Sequence, residues 1–378
     1  MKRILSPILI IALMLAVLAG CGDTAGGESP LGSLALTGSM QLDYADKFAI
    51  DYYEGGYSLI TLNDGSRFLV VPKEKDVPKA VASDIVVLKQ PVENIYLAAT
   101  SAMCLFDALG RLDAVRLSGT KADGWYIENA RKAMEAGDII YAGKYSQPDY
   151  ELLLSEGCSV AIESMMISHA TEVKGKLEEL GIPVFMDQSS LEGHPLGRTE
   201  WIKLYGIILG EEEKAEELFN EQKEYLARAE MGEPTGKTVA FFYISSSGNA
   251  VVRKSGDYVS KMIALAGGKY VFDNIGDPEK VTATVNLEME SFFAAAKDAD
   301  YIIYNSTIGG EVKDMAGLFA KSSLLKEFSA VKEGNVWCTE QNMYQETTRL
   351  GEMVESFRKV FSGEADDLDE LPYLYRLK

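Results

Sequence analysis

Cys21 closes the run Leu18-Ala19-Gly20-Cys21, behind an apolar stretch that follows Lys2 and Arg3. A basic start, a limited apolar stretch and small residues ahead of a cysteine form an export signal, and they make this thiol the site of a thioether-linked lipid. A buried methylene contributes roughly 0.8 kcal/mol, so one acyl chain holds a protein marginally while a diacylglycerol plus an amide-linked chain holds it firmly. The apolar run is shorter than the about 20 residues that span a bilayer. A Gly-rich, charged segment (Gly22, Asp23, Gly26, Gly27, Glu28) follows it directly. Residues 1–20 therefore read as a lipoprotein signal peptide. The work of the chain is expected at the extracytoplasmic face of the cell membrane.

Other reactive residue types are sparse. His169 and His194 are the two histidines, too few for a usual zinc or manganese site with ligands at about 2.0–2.2 Å. Cys104, Cys158 and Cys338 show no CxxC spacing, and Cys104 and Cys158, which lie among apolar residues, read as small core side chains. No G-x-S-x-G, G-x-x-x-x-G-K-[ST] or H-E-x-x-H pattern occurs, so no catalytic residue and no metal ligand are assigned. The formal charge of -20 becomes -22 once Lys2 and Arg3 leave with the signal peptide. That balance argues against a nucleic-acid partner. What remains is a set of polar and aromatic side chains suited to holding a ligand. In the first half these are Trp125, Tyr145, Glu163, Met165 and His194; in the second, Ser246, Arg253, Asn305, Gln341 and Tyr344. Aromatic faces suit a large, partly apolar ligand, and arginine suits a carboxylate or a hydroxyl array.

Such residues act together only if the fold gathers them. Residues 21–40 are rich in Gly, Ser, Thr and Pro and read as a flexible tether. Strands at 48–53, 57–62 and 67–71, separated by Glu54-Gly55-Gly56 and Asn63-Asp64-Gly65, predict a small antiparallel sheet. From about residue 84 strands and helices alternate, which favours parallel βαβ units. Strands are expected at 95–99, 160–162 and 184–186, with helices near 101–109, 148–156 and 171–180. Residues 193–230 carry a helical pattern interrupted at Gly210, as one long helix or two nearly continuous ones. A second alternating unit has strands at 239–244, 301–304 and 336–337 and helices near 257–266, 287–297 and 340–361. The fold class is α/β: two Rossmann-like lobes, 41–192 and 231–378, joined by a connecting helix over 193–230, with the small sheet at the N-terminus. Open α/β sheets bind ligands beyond the carboxyl ends of their strands, and the candidate residues stand there.

The chain then resembles a known group. The segments are Tyr141-Ala-Gly-Lys-Tyr-Ser-Gln-Pro-Asp-Tyr-Glu151, Leu177-Glu-Glu-Leu-Gly-Ile-Pro-Val184, the helix junction from Leu204 to Ala215, Met262-Ile-Ala-Leu-Ala-Gly-Gly268, Ala299-Asp-Tyr-Ile-Ile303 and Ala330-Val-Lys-Glu-Gly-Asn-Val-Trp337. In this order they resemble the helix-linked (class III) substrate-binding lipoproteins of ABC importers, the periplasmic binding proteins that take up ferric siderophores, haem and cobalamin. The resemblance implies a monomer with no intrinsic cofactor, a metal chelate as ligand, and an ABC permease with its ATPase as partners. It also implies that Glu151 and Glu290, one on each lobe, meet basic residues of the permease. A bare-ion binder and a ligand-sensing lipoprotein are the alternatives. His194 reads equally as a ligand contact and as a helix cap, and Arg198 as a brace to Glu163 or Asp187. A lipid anchor on a receptor of this kind points to a Gram-positive envelope.

Overall fold

A computed structural model describes residues 30–278 and 284–378. The expected signal peptide and Cys21 lie outside the described residues.

The N-terminal sheet has five strands rather than three. Their spatial order is Leu36–Ser39, Phe48–Tyr53, Tyr57–Leu62, Arg67–Val71 and Ile85–Lys89. The first three pairings are antiparallel and the last is parallel, with Phe68 opposite Val86. The strand Leu36–Ser39 falls in the stretch expected to be tether. It pairs as an exposed edge, fastened by Thr37 Oγ1 donating to the Tyr52 carbonyl (3.0 Å) and Ser39 Oγ to Asp51 Oδ1 (2.5 Å). Strand alternation splits the apolar residues between two faces. Phe48, Ile50, Ile60, Leu62, Phe68 and Val70 join the main core, while Tyr53, Leu59, Leu69, Val71 and Ile85 form a small core with Leu31.

In the first lobe five parallel strands lie in the order Val184–Asp187, Ala161–Ser164, Ile95–Leu97, Val115–Ser118, Ile140–Tyr141. Helices Met103–Leu109, Glu128–Ala136, Tyr150–Ser155 and Thr171–Glu179 accompany them. Asp149 caps the third of these by accepting from the Leu152 amide at 3.0 Å. The second lobe is a mixed sheet. Thr238–Ile244, Tyr301–Tyr304 and Val336–Thr339 are parallel at its centre; Ala250–Arg253 and Leu374–Arg376 flank them antiparallel, and Thr284–Leu287 and Glu370–Leu371 pair antiparallel with those two in turn. The helix expected near 340–361 is shorter, Leu350–Ser362, because two 3-10 turns, Met343–Gln345 and Thr347–Arg349, precede it.

The connection is two helices, Pro195–Leu209 and Glu212–Glu230, broken where Gly210 adopts a φ of 74°. The second folds back on the first: Lys203 Nζ meets Glu216 Oε2 at 3.1 Å and lies over the Phe219 ring. A Cβ on Gly206 would fall 2.7 Å from the Ala215 Cβ, so glycine permits this close packing. Nearly all of the first helix is buried. Two carboxylates tie the N-terminal sheet to this hub. Glu200 accepts from the amides of Asp43, Tyr44 and Ala45 at 2.8–2.9 Å, and Glu192 accepts from those of Asp46 and Lys47 and from Trp201 Nε1 at 3.0–3.1 Å.

Candidate functional site

The carboxyl ends of the parallel strands in both lobes carry most of the candidate residues, but the structure assigns several of them other work. Asn305 follows the strand Tyr301–Tyr304 and is fully buried. Its Nδ2 donates to the Tyr344 hydroxyl at 2.8 Å, and its Oδ1 has no partner among the described residues. Arg253, at the end of the strand Ala250–Arg253, donates from Nη1 to Asp257 Oδ2 (3.4 Å) and from Nη2 to the same Tyr344 hydroxyl. Asp257 also caps the helix Tyr258–Leu265 by accepting from the Val259 amide (2.9 Å). Burial opposes the Arg253 charge, but Tyr344 and Asp257 outweigh it and its pKa lies above the ordinary arginine value. Asp257, Arg253, Tyr344 and Asn305 are thus one hydrogen-bonded chain, and three of them were legible as candidates. Asp257 was missed because its signal, an Asp one residue ahead of a helix, reads as a cap.

Several expectations need correction. Trp125 offers no face to a ligand: it is buried, and its indole N–H donates to Ser118 Oγ at 3.3 Å. Glu163 is fully buried, with neither carboxyl oxygen partnered among the described residues. Strand alternation puts it on the same face as Ala161, the face packed with Tyr96, Leu153, Ile167 and Leu177. Burial pushes its pKa up to about 8. Ser246 sits exposed in the hairpin turn between two strands, away from any described polar partner. Gln341 spends its Oε1 as acceptor for the Tyr126 hydroxyl. Tyr145 and Met165 remain half-exposed, on the hairpin after Gly143–Lys144 and on the turn after Ser164.

His194 is a helix cap. Its Nδ1 accepts from the Leu196 amide at 3.1 Å, and its ring stacks on Tyr44 with centroids 4.4 Å apart. Burial, reinforced by Lys261, lowers its pKa to about 4, so the neutral, accepting ring is the resting form. The unfolded ring titrates near 6.5. The folded pKa is depressed, so the His194 contribution is present above 6.5 and is lost as pH falls toward 4. His194→Ala should lower stability by about 1 kcal/mol at pH 7, the usual worth of an N-cap, and by less at pH 4.5. A thermal melt at the two pH values checks this.

Arg198 braces the hub without a carboxylate. Its guanidinium donates to the Ser190 carbonyl (2.7 Å) and lies 3.8 Å from the centroid of Tyr258, a second-lobe residue. Glu151 and Glu290 are both exposed, each in the first turn of its helix, Tyr150–Ser155 and Met289–Ala296. A further signal went unread in the sequence. Tyr141 and Met166 on the first lobe and Ile308 on the second are large, exposed apolar side chains at or just beyond the carboxyl ends of strands, and Tyr126 is another on the loop that follows Val115–Ser118 and the turn Ala122–Gly124. Among the described residues no cluster of three or more His, Cys, Asp or Glu side chains could hold a metal ion, and no helix is long and apolar enough to cross a membrane.

The sequence profile described as "periplasmic binding protein" matches residues 105–342, which spans both lobes. The chain belongs to the periplasmic binding protein family. Two uncharacterized lipoproteins of Methanocaldococcus jannaschii are its relatives over nearly the whole length. One is 24% identical, covering 91% of this chain and 89% of its own; the other is 25% identical, covering 100% of each. Among solved structures, the periplasmic haem-binding protein HutB of Vibrio cholerae superposes with a TM-score of 0.56 at 16% identity, covering 70% of this chain and 98% of that one. The periplasmic vitamin B12-binding protein BtuF of the same organism gives 0.51 at 16% identity, covering 72% and 97%. A protein of an ABC-type Fe3+-hydroxamate transport system from Saccharomonospora viridis gives 0.54 at 18% identity, covering 72% and 93%. At these identities the likeness is one of fold. The match begins beyond the N-terminal sheet, so in this binding protein Leu36–Ser39 to Ile85–Lys89 stand outside the matched region.

Proposed function

We propose that this binding protein is a lipid-anchored, extracytoplasmic receptor that captures a metal chelate between its lobes and delivers it to an ABC permease powered by an ATPase. The chelate, a ferric siderophore, haem or cobalamin, is cargo and not a resident cofactor. One observation carries the reading. Exposed apolar side chains (Tyr141, Met166, Ile308) and Asn305 stand at the carboxyl ends of parallel strands, where open α/β sheets take ligands, with Tyr126 on the loop beyond Val115–Ser118; Arg253, from the antiparallel neighbour strand, reaches Asn305 through the Tyr344 hydroxyl. A large ligand with an apolar body and a polar edge complements that combination. Proteins of the same fold that carry haem, vitamin B12 and Fe3+-hydroxamate in their names support the ligand class. Relatives named as lipoproteins support the anchor at Cys21. Glu151 and Glu290, exposed one to a lobe, are the proposed permease contacts, and the receptor is proposed to act as a monomer.

Arg253→Ala should weaken ligand binding about tenfold or more, since a hydrogen bond to a charged group contributes roughly 1.5–3 kcal/mol. Tyr145→Ala should weaken it less, through lost contact area. Calorimetric titration of both variants checks this. Unchanged affinity in both, with the fold intact by circular dichroism, would place the ligand elsewhere.

A further inference from the structure

The two lobes are joined in two physically different ways. At the base the contacts are permanent ones. The first connecting helix is buried, and the second buries one face, in a core continuous with both lobes; Arg198 lies on Tyr258, and Thr199 Oγ1 donates to the Thr347 carbonyl at 2.8 Å. Elsewhere a loop of the first lobe, 124–126, meets the polar side chains of a segment of the second, 341–345, through three hydrogen bonds, while Met343 within that segment is buried in the core and lies beside the first-lobe turn Thr100–Ala102. The Tyr126 amide donates to Gln345 Oε1 at 2.8 Å, Gln345 Nε2 donates to the Gly124 carbonyl at 2.8 Å, and the Tyr126 hydroxyl donates to Gln341 Oε1. Both partners follow the carboxyl ends of strands, Val115–Ser118 and Val336–Thr339, so these bonds bridge the lobes on the ligand side.

The chemistry of this bridge suits a reversible contact. Tyr126 is about half exposed. Each bond can be exchanged for one to water with little net change, whereas separating the buried helices would expose apolar area. The reciprocal pattern also specifies one register: Gln345 both accepts from the backbone of the loop and donates to it two residues away.

We propose that the 124–126 loop and the 341–345 segment form a strap that holds the lobes together in the ligand-free protein, and that the strap opens to admit ligand. Tyr126 and Gln345 are its working residues. Gln341 is thereby a strap residue in the resting protein, and ligand entry frees its amide. The proposal concerns lobe separation alone and holds whatever the ligand proves to be.

Electron-electron distance measurement on the full-length protein tests it without a ligand. Spin labels at Ala136→Cys and Glu327→Cys, both exposed and one on each lobe, are read in a Cys21→Ser, Cys158→Ser background, since the other two native cysteines, Cys104 and Cys338, are buried. The unaltered strap should give one narrow distance. Tyr126→Phe combined with Gln345→Met, which keep bulk and remove all three bonds' side-chain partners or their geometry, should give a longer and broader distribution. Tyr126→Phe alone, the loss of one hydroxyl, should shift it part of the way. An unchanged distribution in the folded double variant would overturn the strap, as would a broad distribution with the strap intact. If the double variant does not fold, the single variant decides: a shift supports the strap and no shift overturns it.

Discussion

Glu163→Gln should stabilise the protein, and by more at pH 8 than at pH 5. The carboxyl group is fully buried on a central strand of the first lobe, has no hydrogen-bond partner among the described residues, and titrates near 8 against an ordinary 4.5. Its described neighbours on that face are the phenols of Tyr96 and Tyr150, whose own pKa values are raised chiefly by burial; Lys176 and Glu172 lie beyond, near Tyr150. Because the folded pKa is raised, the folded state holds a proton that the unfolded state has released between 4.5 and 8. Stability therefore falls as pH rises through that window and levels off above it. Each unit contributes about 1.4 kcal/mol, so the whole window amounts to roughly 4–5 kcal/mol. Glutamine keeps the shape and does not ionise. The advantage of the variant, measured by urea unfolding across the range, should be near zero at pH 4.5 and reach several kcal/mol at pH 8. A difference that does not grow with pH would mean that the carboxylate is ionised and paired in the native protein.

Glu200→Ala has the opposite sign and a comparable size. This buried carboxylate gathers three successive backbone amides, of Asp43, Tyr44 and Ala45, and meets Lys203 Nζ at 3.3 Å. Alanine leaves those amides without their acceptor and Lys203 with only its half-exposed partner Glu216. Breaking a buried charge pair costs about 3–5 kcal/mol, most of it from the groups left behind. Glu200→Gln retains one acceptor oxygen and should lose roughly half as much. The loss should also be local: limited proteolysis ought to cut the segment around residues 40–47 first in Glu200→Ala. A destabilisation below about 1 kcal/mol would show that the clamp contributes little beyond what solvent can replace.

The alternating strands and helices were legible because their signals are local. Asp149 caps a helix, with Pro148 ending the short strand before it rather than entering its first turn; Gly181 ends another at a φ of 79°, and apolar runs such as 301–304 make buried strands. What the chain hid is non-local. The parallel pairing of Arg67–Val71 with Ile85–Lys89 crosses a stretch with no element of its own, and Leu36–Ser39 is a strand only because Phe48–Tyr53 lies beside it. Trp125 and Tyr126 are adjacent in sequence, yet one is core and the other exposed; composition cannot tell which way each points. Glu163 was assigned to the ligand by its place at a strand end. Side-chain alternation turned it into the core instead. Glu192 and Glu200 went unnoticed because their partners are backbone amides about 150 residues earlier, which no motif records.

The central claim is that the space between the lobes takes a metal chelate. The most direct measurement is a calorimetric titration of the full-length protein in detergent with haemin, with cobalamin and with a ferric hydroxamate siderophore in separate runs. The account predicts saturable one-to-one binding of one of these classes, weakened about tenfold or more by Arg253→Ala. Failure of all three to bind the folded protein saturably, or binding that Arg253→Ala and Tyr145→Ala both leave unchanged, would contradict it.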